Sequence, residues 1–248
     1  VLTWQQDMDT ESEVFKNILN RNLLKDMNTT APGSETGLDS IDRHISTTAS
    51  DVTGCGATAA DEDPWGTQDR SDATENAGSW LDSTVSHNGT AGTETDREFS
   101  LSYLDTVLAG TMPYWKSPDL GNKVYITGYD TLFDWNQAIM PFQRLPEMGV
   151  QMTVNGIKTV GGSAGGLMVK SYNGIPIIAS NNVVQDTKSR VYQIDLDNMS
   201  IDMLIAPEVL TADNVLLLGK MVKEAAFHME GELVTTNFRS QGKVRGLK

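Results

Sequence analysis

The sequence predicts an α+β fold. Three observations predict it: apolar residues at helical spacing early in the chain, period-two alternation late in it, and a strand, loop, helix and strand in quick succession between them. At 248 residues the chain can bury a sizeable core, in one domain or two.

Thr10-Glu11-Ser12-Glu13 reads as a capping box, with a Thr at the cap and a Glu three residues later. Val14, Phe15, Ile18, Leu19, Leu23 and Met27 then fall at helical spacing, which predicts an amphipathic helix over 11–28. Pro32 and Gly33 end it. A second, short helix is expected over 37–46, with Leu38, Ile41 and Ile45 on one face. Residues 46–98 are rich in Ser, Thr, Asp, Gly and Asn and nearly free of branched aliphatics. They predict a long surface loop, ordered if at all by Trp65, Trp80 and polar contacts.

Ser100 is placed to cap a third helix, with Leu101, Leu104, Val107 and Leu108 inward. Lys123 to Thr127 is a compact strand, and Asp130 caps a fourth helix bearing Leu132, Phe133, Asn136, Ile139 and Met140. Residues 150–170 read as strands around a glycine-rich loop. Asn173-Gly174 tolerates positive φ and supplies a turn. Ile175, Ile177 and Ile178 suit a buried strand, and Pro176 places it at a sheet edge or a strand start. Arg190 to Leu196 alternates, Asp197-Asn198 turns, and Ser200 to Ile205 alternates again. These are expected as two paired strands of a half-buried antiparallel sheet. Leu216 to Val222 and Ala225 to Thr235 are expected as strands that return to the first part of the fold. No internal repeat is visible.

The charge is uneven. Residues 1–100 carry 6 basic and 19 acidic residues, and residues 101–248 carry 13 and 14, for a net charge of −14. Gripping a phosphate backbone needs clustered Lys and Arg, so direct nucleic-acid binding is not expected. An acidic half fits a solvated surface, a repulsive face, or adaptation to a salt-loving host. The single cysteine, Cys55, excludes an intrachain disulfide and a cysteine-cluster zinc site. No apolar run approaches the roughly 20 residues that span a bilayer, so no membrane association is expected. The chain opens on Val1 with no secretory signal, which fits proteolytic processing or an incomplete sequence alike.

Gly161-Gly162-Ser163-Ala164-Gly165 matches the nucleophile elbow of α/β-hydrolases, and Asp186 or Asp195 followed by His228 keeps the hydrolase order. An elbow needs a sizeable helix after it, and Asn173-Gly174 arrives only a few residues later. Four glycines in six residues are more simply a flexible loop. The same loop lacks the Gly-Lys-Ser/Thr of a phosphate cradle. His44, His87 and His228 are far apart, and none has a partner at metal-ligand spacing. Asp61-Glu62-Asp63 is followed by Pro64 and lacks the downstream Gly and Glu of a calcium loop. No catalytic, cofactor or metal residue is therefore expected.

Several segments, in order, resemble the major capsid proteins of tailed double-stranded DNA viruses with the Hong Kong 97-type fold. They are Gly37 to Ile41, Asp69-Arg70-Ser71 with Ser79-Trp80, and Leu101 to Trp115. Val124 to Asp130, Tyr172 to Ile178, Ile194 to Asp197, Ile201 to Pro207 and Glu230 to Val244 follow. The resemblance runs from about residue 11 to the end. It implies a spine helix with its approach in a peripheral domain (1–36), an axial domain (37–215, including the acidic loop 46–98), and returning peripheral-domain strands (216–248). It departs from the family at the start, where fewer than a dozen residues precede the first expected helix and the family has an arm and a two-stranded extended loop. The implied function is structural: copies pack into pentamers and hexamers that close an icosahedral shell around DNA. That implies no enzyme activity, no cofactor and no sequence-specific nucleic-acid contact. Portal, scaffold and decoration proteins are implied partners, and the location is a virion assembled in the host cytoplasm. A salt-loving archaeal host fits the acidic balance. An encapsulin-like nanocompartment shell of the same fold and a serine hydrolase using Ser163 are the alternatives.

Overall fold

The computed structural model describes residues 2–25, 38–47, 74, 77–90, 93–139, 152–154, 157–159, 170–217 and 220–248. A six-stranded mixed sheet lies at the centre. Its order is β1 (Thr84–Ser86), β12 (Gly242–Val244), β9 (Val191–Asp195), β4 (Lys123–Thr127), β8 (Ile175–Ala179) and β7 (Lys170–Tyr172). The β1–β12 and β4–β8 pairs are parallel, and the other neighbours are antiparallel.

Successive strand residues point to opposite faces, so this sheet feeds two cores. Val124, Tyr192 and Ile194 pack with Leu24, Ile41 and Ile45 on one face. Tyr125, Val191, Ile175 and Ile177 pack with Leu104 and Trp135 on the other. Each such side chain contributes about 1.5–3 kcal/mol on full burial. All five residues of β9 are buried, where alternation predicted a half-buried strand. Its expected partner is also different. The turn forms, with the Asn198 N–H donating to the Asp195 carbonyl at 3.1 Å. Both edges of β9 are already taken by β4 and β12. The following strand, β10 (Met199–Leu217), therefore leaves the sheet and pairs with β11 (Lys220–Thr235) in a separate antiparallel ribbon. The strand expected at 216–222 is split between the end of β10 and the start of β11.

Asn173 and Gly174 take positive φ (50° and 82°), and the turn they make joins β7 to β8. Pro176 is the second residue of β8 and sits opposite Ser171 of the edge strand, ahead of the ladder to β4. The missing N–H therefore interrupts no central pairing. Two short hairpins, β2 (Gly89–Thr90) with β3 (Thr93–Glu94) and β5 (Met152–Val154) with β6 (Ile157–Thr159), complete the strands.

Helix α1 spans Leu2–Leu23. The proposed capping box lies inside it, where Thr10 Oγ1 donates to the Gln6 carbonyl at 2.9 Å instead of capping. A favourable local cap lost to a longer helical run. It ends at Leu23, short of the expected end at 28: Leu24 and Lys25 have already left the helix. Helix α2 is one turn, Ile41–His44, with Ser40 Oγ accepting from the Arg43 N–H at its start. Helix α3 (Leu101–Thr111) is capped by Ser100 as expected. It approaches β12 so closely that a Cβ on Gly242 would lie 2.3 Å from Val107 Cγ1. Helix α4 (Tyr129–Ile139) starts one residue before its expected cap. Asp130 Oδ2 instead accepts the Ser189 N–H at 2.8 Å and ties α4 to the approach of β9. The 46–98 segment is not wholly a loop. It supplies β1, the edge of the sheet, and the fully buried Leu81. Three strand residues are too few for periodicity to reveal.

One buried carboxylate joins the start, middle and end of the described chain. Asp42 is fully buried. It accepts from Arg190 Nη1 at 2.7 Å, the Tyr192 hydroxyl at 2.9 Å and Lys243 Nζ at 3.2 Å. Lys243 Nζ also donates to the Asp42 carbonyl and to Ser46 Oγ, each at 3.1 Å. Burial alone pushes this carboxyl up; the Lys243 and Arg190 charges and the bonds from Arg190 and Tyr192 outweigh it and hold it well below the usual range. A depressed folded-state pKa contributes stability above the unfolded value of about 3.9, lost as pH falls below it. Asp42→Asn leaves two buried cations short of their anion and is expected to cost about 3–5 kcal/mol. Thermal unfolding should then occur about 10 °C lower, and the steep acid loss of stability below pH ~4 should flatten. Differential scanning calorimetry across pH checks both.

Candidate assembly surface

The buried polar groups are committed to holding strands together. Lys123 lies fully buried, 2.8 Å from Asp195 Oδ1 and 3.0 Å from Asp197 Oδ2, under the Trp115 ring at 5.4 Å. Desolvation would lower its pKa, but hydrogen bonds and charge from the two aspartates win and raise it. It stays a cation, unsuited to act as a nucleophile. Asp186 pairs with Arg190 at 2.7 Å and accepts the Gly246 N–H at 2.7 Å. Burial pushes Asp186 up, and Arg190 more than offsets this, so its carboxyl is held low.

The candidate hydrolase residues fare as follows. Ser163 and the glycine-rich loop 161–166 lie outside the described residues, as do Cys55, Trp65 and 61–64. Asp186 and Asp195 each hold a different structural cation. His228 sits on β11, with ring nitrogens 3.7 Å from Glu208 and 3.3 Å from Glu230. His44 Nδ1 lies 2.9 Å from Thr235 Oγ1 in the interior. The His87 carbonyl accepts from Arg97 Nη1 at 3.4 Å. Among the described residues no group of three or more His, Cys, Asp or Glu is arranged to hold a metal. No described helix is long and apolar enough to cross a membrane.

What the described chain offers outward is apolar surface, at Trp80, Met112 and Tyr114 and on three longer elements. On α1, Val14 and Ile18 are 45% and 52% exposed. On the ribbon, Leu204 is 83% exposed, with Met203, Val209 and Leu210 also open. On α4, Tyr129 and Phe133 lie one turn apart and are 51% and 63% exposed. Single exposed apolar residues are ordinary, but groups of them mark contact surfaces. Helical spacing had counted Val14 and Ile18 with Phe15 and Leu19, and Phe133 with Leu132. The structure leaves Val14 and Phe133 open, and Ile18 half in the open and half at a cavity. Phe15 stacks on Phe227 at 5.4 Å, and Phe15, Ile18, Leu19, Leu38 and Met229 line a cavity of about 590 Å³ between α1 and the ribbon. The available signal was width: two adjacent i, i+4 stripes on α1 are more apolar surface than one neighbouring element can cover. Polar bonds from Asn182 to Asn17 (3.0 Å) and from Asn20 to Ser180 (3.1 Å) tie the same helix to the loop after β8.

No protein-family model matches the chain, and no curated protein matches it. Solved structures do. A chain of the cyanophage A-1(L) capsid asymmetric unit is 14% identical, with a TM-score of 0.62 over 99% of this chain and 69% of that one. A chain from the capsid of an empty GTA particle is 11% identical, with a TM-score of 0.50 over 100% of this chain and 67% of that one. A chain of the SrpI encapsulin complex from Synechococcus elongatus matches at a TM-score of 0.43 over 66% and 52%. At such identities the likeness is one of fold, and the first two carry it across nearly the whole sequence. The chain's mixed helix-and-sheet fold is similar to that of these two capsid chains.

Proposed function

We propose that this chain is the major capsid protein of a tailed double-stranded DNA virus with the Hong Kong 97-type fold. The observation that carries the reading is the fold likeness to a phage capsid chain over 99% of this sequence. In this reading α1 is the spine helix within a peripheral segment, 1–36. The helices and strands of 37–215 form the axial domain, and 216–248 returns to the peripheral side, with β12 stitching the returning segment into the central sheet.

The mechanism is mechanical. Contacts that repeat by rotation close into rings, here pentamers and hexamers, and rings close into an icosahedral shell around DNA. Many weak contacts then add to a stable particle without any single strong one. A net charge of −14 suits a wall that does not grip the packaged polyanion and needs no sequence-specific contact to it. The same charge suits a salt-loving archaeal host, where counterions screen carboxylate repulsion. The location is the virion, assembled in the host cytoplasm, with portal, scaffold and decoration proteins as partners. No reactive centre, cofactor or metal takes part.

Negative-stain microscopy of the full chain is the test. Uniform rings or hollow particles are expected, and a monodisperse monomer in every salt condition would contradict the reading. Particles loaded with a cargo enzyme and no genome in the native cell would point to a nanocompartment instead. Ser163→Ala is expected to change neither assembly nor ester turnover, which should stay at background in a chromogenic ester assay. Turnover that Ser163→Ala abolishes would restore the hydrolase reading.

A further inference from the structure

The outer face of α1 carries a pattern that the fold of one copy leaves largely exposed. Asp7, Glu11, Val14, Ile18, Arg21 and Lys25 follow one another in alternating steps of four and three. That spacing keeps them in one stripe along a helix, the seam pattern of paired helices. The first five are exposed and Lys25 is half-buried. The stripe lies beside the inward one that holds Phe15 and Leu19 and borders it at Ile18. Its chemistry is segregated: two acids, then two apolar residues, then two bases.

We propose that α1 pairs antiparallel with α1 of a second copy, about a two-fold axis at the level of Lys16. In that arrangement Asp7 meets the partner's Lys25, Glu11 meets the partner's Arg21, and Val14 meets the partner's Ile18. A parallel pairing puts acid on acid and base on base, so charge complementarity selects the antiparallel one. Lys16 itself, two residues beyond Val14, lies on the far side of the helix and does not meet its mate. Lys25 already has an interaction within its own chain, so Glu11 and Arg21 are the stronger ionic pair. Ile18 also lines the cavity between α1 and the ribbon, which gives the partner's Val14 a place at its mouth.

The seam runs from residue 7 to 25, about 27 Å of helix. Two helices meeting over that length bury less than the ~800 Å² per partner of a standard stable interface. The contact therefore holds only when repeated, and in that respect it rests on the capsid reading above.

Glu11→Arg and Arg21→Glu each set like charges against one another on both sides of the axis. Each alone is expected to raise the chain concentration needed for half-assembly by about tenfold at low salt. The double variant E11R/R21E restores opposite charges and should return it to the wild-type value. Glu11 and Arg21 lie about 15 Å apart along one helix, so rescue has no source within a single copy. Sedimentation at several chain concentrations reads the change. On a Cys55→Ser background, mixed Val14→Cys and Ile18→Cys chains should also give a 14–18 disulfide under oxidation. Wild-type multimers with unchanged assembly of both single variants, or a double variant as weak as the singles, overturn this contact and leave the capsid reading standing. A wild-type chain that never multimerises removes both.

Discussion

A carboxylate sealed from water cannot stay ionised without cations beside it, and Asp42 draws its cations from far along the chain. Arg190 lies 148 residues away and Lys243 lies 201 away. The cluster therefore fixes where α2, the approach to β9, and β12 meet. A hydrophobic trio of the same volume could be as stable. The ionic one adds register. A one-residue slip of β12 turns Lys243 to the opposite face, away from its anion, and brings a side chain against Val107 where only Gly242 fits. The second cluster, Lys123 between Asp195 and Asp197, fixes the β4–β9 pair in the same way.

The central sheet is covered on both faces by buried apolar residues. Exposed apolar residues lie on α1, on the ribbon, on α4 and at Trp80, Met112 and Tyr114. A two-stranded ribbon is marginal by itself in water. This one is anchored at its base by Met199 and Leu233 in the core, and it carries Leu204 and its neighbours into the open. Among the described residues, the acids Asp42, Asp186 and Asp195 are each paired with a cation.

Much of the fold was legible in the residues. Ser100 announced α3, Lys123 to Thr127 proved to be β4, and Asn173-Gly174 made the turn into β8. Local chemistry decides such features. Several of the errors share one cause, which is competition from partners distant in sequence. Alternation in Arg190 to Leu196 suggested one wet face, but β12, some 50 residues on, closes the second edge and α3 covers the second face. Asp130 looked like a cap until Ser189 claimed its oxygen. Of the assembly surface, the exposed pair on α4 was hidden because Phe133 falls beside Leu132 in helical spacing. The likeness to capsid proteins rests on ordered segments, none specific alone. It became firm only when topology could be compared.

We propose that copies of this polypeptide repeat around symmetry axes. Native mass spectrometry of the full chain tests that most directly. The account predicts masses at five and six times that of one chain, with little population between one and five. Masses confined to a single copy at every concentration and ionic strength would contradict it.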